Sequence, residues 1–114
     1  MPVIHVHTSE ELSLGQRDAL KAHFGRAITA VPGKTEQWLM CIFEDSPMYF
    51  GGDDTTPSAY VEVNVFGDSV ARENWEKLTT EIMGAFKAET NIPNDRTYIR
   101  YTATKDWGWN GSNF

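Results

Sequence analysis

A chain of 114 residues with 40% hydrophobic content is long enough for one domain with one modest core and too short for two. Its net charge of −6, with ten Lys and Arg scattered along the chain, offers no basic field to gather phosphates and argues against a nucleic-acid partner. One cysteine, Cys41, excludes an internal disulfide and a thiolate metal cluster, and no apolar run approaches the ~18 residues of a spanning helix or carries a signal peptide's pattern, so a cytoplasmic protein with no membrane partner is expected.

The first element is "PVIHVHT". Its alternation puts Val3, His5 and His7 on one face of a strand and Ile4, Val6 and Thr8 on the other. Pro2 suits a strand start, where no backbone N–H is needed. Leu20, Phe24, Ala27, Ile28 and Val31 then recur at helical spacing, and Ser13 with Gln16 resembles a capping box. Pro32 and Gly33 stop that helix. "QWLMCIFE", Gln37 to Glu44, is a near-continuous apolar run that reads as a strand buried on both faces.

A loop follows, "DSPMYFGGDDTTP", in which Asp53 and Asp54 read as a solvated turn. "AYVEVNVF" alternates as a strand, and a second helix is predicted from about Val70 to Glu89 with Ser69 as its cap and Leu78, Ile82, Ala85 and Phe86 as its apolar stripe. Asn91 and Pro93 end it, and "TYIRYTA" is a further strand. The chain is therefore one α+β domain, residues 1–114, built from two βαβ units at about 2–44 and 58–102. Right-handed crossovers give a four-stranded mixed sheet, a two-layer sandwich with both helices on one face. The other face keeps Tyr, Val and Met side chains in need of cover, so self-association is expected.

No GxSxG, P-loop, HExxH or CxxC is present. Five stretches instead carry a resemblance in the expected order over the whole chain: "MPVI", "GKTEQWLM", "PMYFGG", "DRTYIRY" and "WGWNGSNF". Together they make the chain similar to the macrophage migration inhibitory factor family of the tautomerase superfamily. The resemblance implies a homotrimer with each active site between two subunits and a cofactor-independent keto–enol tautomerase acting on an aromatic 2-oxo acid such as phenylpyruvate. Pro2, exposed by removal of Met1, would be the base. Lys34 would bind the substrate's carboxylate or enol oxygen with the backbone N–H of Phe66, and Tyr98 and Arg100 would arrive from the neighbouring subunit. The resemblance also moves Trp109 and Phe114 toward the pocket, while Trp38, Phe66 and Trp107 are candidate walls that stand where the better-known mammalian members carry smaller or more polar residues.

The residues support that chemistry independently. An α-amino group titrates near 7.7–8.0 and a proline amine is more basic, so a base working at neutral pH must be depressed by burial or a nearby cation. Lys34 is the obvious candidate for the charge, and Trp38, Phe66, Trp107, Trp109 and Phe114 are the candidate walls. The chain departs from the better-known mammalian members at Arg100, where they carry asparagine. There, Arg100 could hold a second anionic group, lower the Pro2 pKa or pair with Asp106, and it keeps a related hydratase or dehalogenase chemistry open. Those members' CxxC falls here at "PSAY", which removes thiol oxidoreductase chemistry. The alternative to an enzyme is a cytokine-like host-interaction protein with a cell-surface receptor, reached by non-classical secretion. His5 and His7 could ligate zinc, but no third ligand is evident in the sequence, and no metal is assigned.

Overall fold

The computed structural model describes residues 1–114. Strand β1, Pro2–Thr8, buries Pro2, Ile4, Val6 and Thr8 and leaves Val3, His5 and His7 half-buried. Helix α1, Leu14–Ala27, begins at the foreseen capping box, in which Gln16 N–H donates to Ser13 Oγ (3.1 Å) and Ser13 N–H to Gln16 Oε1 (2.9 Å). Gln16 Nε2 also donates to the Glu89 carbonyl (3.2 Å), tying the start of this helix to the end of the second.

Three boundaries depart from the sequence expectation, the first being the end of α1, which gives way after Ala27 to a 3₁₀ turn, Ile28–Ala30, before Pro32 is reached. Residues Glu36–Trp38 form a 3₁₀ turn, and strand β2 spans only Met40–Asp45. It is an edge strand, not one buried on both faces: it pairs with β1 alone, Cys41 and Phe43 pack on the core, and Met40 is 58% exposed. Strand β3 is Ala59–Phe66 and helix α2 is Arg72–Glu89. Its N-cap is Ala71, with no side-chain cap, because Val70 is drawn onto the core and the helix can turn only after it. Strand β4, Thr97–Thr104, lies as expected.

The sheet order is β2-β1-β3-β4, with parallel outer pairs and an antiparallel central pair. This is the mixed sheet of two βαβ units, and both helices close one face of it. Leu20 and Phe24 of α1 meet Leu78, Ile82 and Phe86 of α2 over Ile4, Val6, Val61, Val63 and Val65. The opposite face, bearing Val3, His5, Ile42, Tyr60 and Tyr98, has no covering layer within the chain. No helix is long and apolar enough to cross a membrane.

The tail forms a hairpin the sequence reading did not assign: β5, Gly108–Trp109, and β6, Ser112–Asn113. Asn110 (φ 51°) and Gly111 (φ 87°) supply the two left-handed residues of its turn. Phe114 N–H closes it on the Trp107 carbonyl at 3.0 Å.

Asp53 is more than a solvated turn. Arg96, whose side chain is 13% exposed, reaches Asp53 Oδ2 through Nη1 (3.2 Å), and its Nη2 donates to the Asp53 carbonyl (2.9 Å). Its Nε donates to Ser58 Oγ (3.0 Å), and the guanidinium lies over the Phe50 ring. One side chain thus pins the 45–58 connection to the start of β4. Arg96→Ala leaves these acceptors unpaired and is expected to cost about 2 kcal/mol, read as a lowered urea midpoint with unchanged slope.

Candidate active site

The site is built where β1 begins. Pro2 opposes Val65 at the buried start of the strand, and the Met1 carbonyl accepts the Phe66 N–H at 3.1 Å. Lys34 arrives from the turn after α1, where Gly33 at φ 79° adopts a left-handed conformation that favours glycine. Its Nζ donates to the Phe66 carbonyl at 2.7 Å and lies 5.7 Å from the centroid of the Phe66 ring. Burial, and then the Lys34 charge, hold the Met1 terminal amine, one residue before Pro2, below the ordinary α-amino value.

The aromatic walls form a connected set. The rings of Trp38 and Trp109 meet edge to face at 5.4 Å. Trp109 stacks towards Phe114 (6.3 Å), which tilts against Phe66 (5.1 Å). Trp38 is presented by the 3₁₀ turn, whose Glu36 carboxylate lies against α1 at Gly25, where any Cβ would collide with it. Met1, Pro2, Trp38, Met40, Trp107 and Trp109 line a cavity of about 310 Å³. Lys34 and Phe66 line a neighbouring depression of about 450 Å³.

Pro2, Lys34, Phe66, Trp38, Trp109 and Phe114 therefore gather at one end of the molecule. Tyr98 and Arg100 do not. They share the open face of β4 opposite Tyr60 and Glu62, further down the sheet than Val65, the partner of Pro2. Tyr98 packs on Phe50 at 5.1 Å and is 63% exposed, and Arg100 forms no ion pair with Asp106 or any other carboxylate of the chain. The Phe66 N–H expected to meet substrate is occupied by the Met1 carbonyl. Lys34's bond to the Phe66 carbonyl escaped sequence reading, since it depends on how the turn after α1 meets the end of β3.

Cys41 takes no part. Burial first, and then Glu36, push its thiol up to about 11, against a small opposing effect of Lys21. Only the thiolate is nucleophilic, so alkylation near pH 8 is expected to be slow in the folded chain and fast in urea, followed by mass.

The model describing macrophage migration inhibitory factor (MIF) matches residues 1–114. Among solved structures, MIF2 of Leishmania major shares 36% identity at a TM-score of 0.90, covering 100% of this chain and 97% of its own. A macrophage migration inhibitory factor homologue from Prochlorococcus marinus shares 27% identity at a TM-score of 0.82, covering 98% of each chain. A third, 17% identical with a TM-score of 0.85 and covering 97% of this chain and 94% of that one, is a protein inactivated by 2-oxo-3-pentynoate and shares the fold. Comparison with curated proteins yields no match.

Proposed function

The chain belongs to the macrophage migration inhibitory factor family, and on that premise we propose that it is a cofactor-independent keto–enol tautomerase of aromatic 2-oxo acids, with the Pro2 nitrogen as general base once Met1 is removed. The observation that carries this reading is geometric: Pro2 is buried at the start of β1 and lines an aromatic-walled cavity, and Lys34 donates to the carbonyl of Phe66, whose N–H meets the Met1 carbonyl. The Met1 amine one residue away is depressed by burial and then by the Lys34 charge. Removing Met1 uncovers two groups at once. The Pro2 nitrogen changes from an amide to an amine, and the Phe66 N–H loses the Met1 carbonyl and becomes free to donate.

In the forward direction Pro2 takes a proton from the carbon next to the ketone while Lys34 and the Phe66 N–H stabilise the developing enolate oxygen. Protonation of that oxygen completes the enol, so one proton moves and no electrons leave the system. Trp38, Trp109 and Phe114 hold the aryl ring. A homotrimer covers the open sheet face and brings Tyr98 and Arg100 of a neighbouring subunit to the substrate's far end. In this reading Arg100, with no carboxylate partner of its own, is the cation available to a second anionic group.

The test is ketonisation of phenylpyruvate enol by the Met1-free chain, verified by intact mass, beside Pro2→Gly. Equal rates would remove Pro2 from the mechanism. A second readout is treatment with 2-oxo-3-pentynoate. The amine adds to the alkyne carbon β to the ketone, its proton passes to the α carbon, and the adduct maps to the N-terminal peptide.

A further inference from the structure

The open face of the sheet carries a cluster the tautomerase site does not use. Strand alternation brings His5 and His7 to it, the parallel register puts Glu44 opposite His7, and the antiparallel register puts Glu62 opposite His5. The two imidazole centroids are 4.0 Å apart. His5 Nε2 lies 3.2 Å from Glu44 Oε1, and His7 Nδ1 lies 3.9 Å from Glu44 Oε2. On the other side, His7 Nε2 is 3.2 Å from Glu62 Oε1. His5 Nε2 is shut off from solvent, yet it makes no hydrogen bond, since its approach to Glu44 lacks the geometry for one.

We propose that His5, His7 and Glu44 form a binding site for a divalent transition metal of the zinc class, with Glu62 as the positioning residue for His7. The ligand atoms of the three residues lie within 4.8 Å of one another. Donors at about 2.0–2.1 Å from a tetrahedral zinc stand roughly 3.3 Å apart, close to the His5–Glu44 separation; the remaining donor separations, up to 4.8 Å, close as His7 turns toward the ion. Two imidazoles with one carboxylate suit zinc and not magnesium or calcium, which take oxygen ligands. Glu62 supplies what such sites commonly add. Accepting the His7 Nε2–H fixes the tautomer and leaves the Nδ1 lone pair facing the site. Three protein ligands leave a fourth position for water.

The experiment uses the untagged full chain, stripped with a chelator and dialysed free of it. Zinc chloride, titrated calorimetrically, is expected to bind with one ion per chain, and cobalt chloride to give the visible absorption of a tetrahedral N,N,O site. His5→Gln and Glu44→Gln are expected to weaken zinc binding by at least ~10–100-fold and to abolish the cobalt band, and Glu62→Gln to weaken it by ~10–100-fold while keeping the band. His23→Gln, on α1 away from the cluster, should change neither. Glu44 is largely exposed in the single chain but lies on the face the proposed homotrimer covers, so circular dichroism checks the fold of each variant and gel filtration its assembly. A wild-type chain without a cobalt band, or an unchanged zinc affinity in Glu44→Gln, overturns the proposal.

Discussion

Replacing Pro2 by glycine is expected to lower kcat/KM for ketonisation of phenylpyruvate enol by about 10²–10⁴-fold, the usual contribution of a positioned general base. The variant still ends in an amine once Met1 is removed, so the loss measures what the proline ring adds. That ring is buried at the start of β1 opposite Val65, and its restricted φ fixes where the nitrogen's lone pair points. Glycine gives a freely turning, less basic primary amine in the same place. Glycine's extra chain entropy at a strand end costs about 0.5–1 kcal/mol, too little to unfold the domain, so circular dichroism should be unchanged while the rate falls. A wild-type preparation that keeps Met1 should be as inactive as the variant, because the Pro2 nitrogen is then an amide with no lone pair to give. Activity that scales with the Met1-free fraction in the intact mass spectrum separates this from a base elsewhere.

The parts of this fold that sequence reading captured are those set by local periodicity. The alternation of β1, the capping box of α1 and the stripe of α2 each depend on neighbours a few residues away. Hydrophobicity misled where it serves a purpose other than a strand. Trp38 and Leu39 extend the apolar run back from Met40, but they line the cavity beside Pro2 from a 3₁₀ turn. Ser69 is a good cap by type, yet packing of Val70 moved the helix start past it. The Asn110–Gly111 pair is itself a hairpin signal, two residues that readily take positive φ, set between the short strands of the tail. Glu44 was out of reach for a deeper reason. Its place beside His5 and His7 depends on the register of two parallel strands separated by a helix, and no pattern within either strand encodes that register. The gathering of Lys34 and the aromatic residues was anticipated through family resemblance, while Tyr98 and Arg100 lie further down the sheet from Pro2 within one chain.

Lys34→Met should produce two separable changes in the pH profile of the same reaction. The base works unprotonated, so kcat/KM rises with pH through the pKa of the amine. In the wild type that ascending limb should lie below the ordinary α-amino value, since the uncovered Pro2 amine takes over the surroundings that depress the Met1 amine, burial first and then the Lys34 charge. Removing the charge moves the limb to higher pH. Burial is the larger cause and survives the substitution, so the limb should stop short of the unperturbed value. The plateau above the limb reports the second effect. Loss of a cation aimed at the enolate oxygen should lower it by about 10²–10³-fold, as for removal of one oxyanion donor. Lys34→Arg keeps the charge but not its compact geometry, so it should hold the limb near its wild-type position while losing part of the plateau. A Lys34→Met enzyme with an unshifted limb and a lowered plateau would assign Lys34 to the oxyanion alone. A shifted limb with a full plateau would assign it to the base alone. The geometry favours both, because one Nζ donates to the carbonyl of Phe66 while the N–H of that same residue holds the carbonyl of Met1.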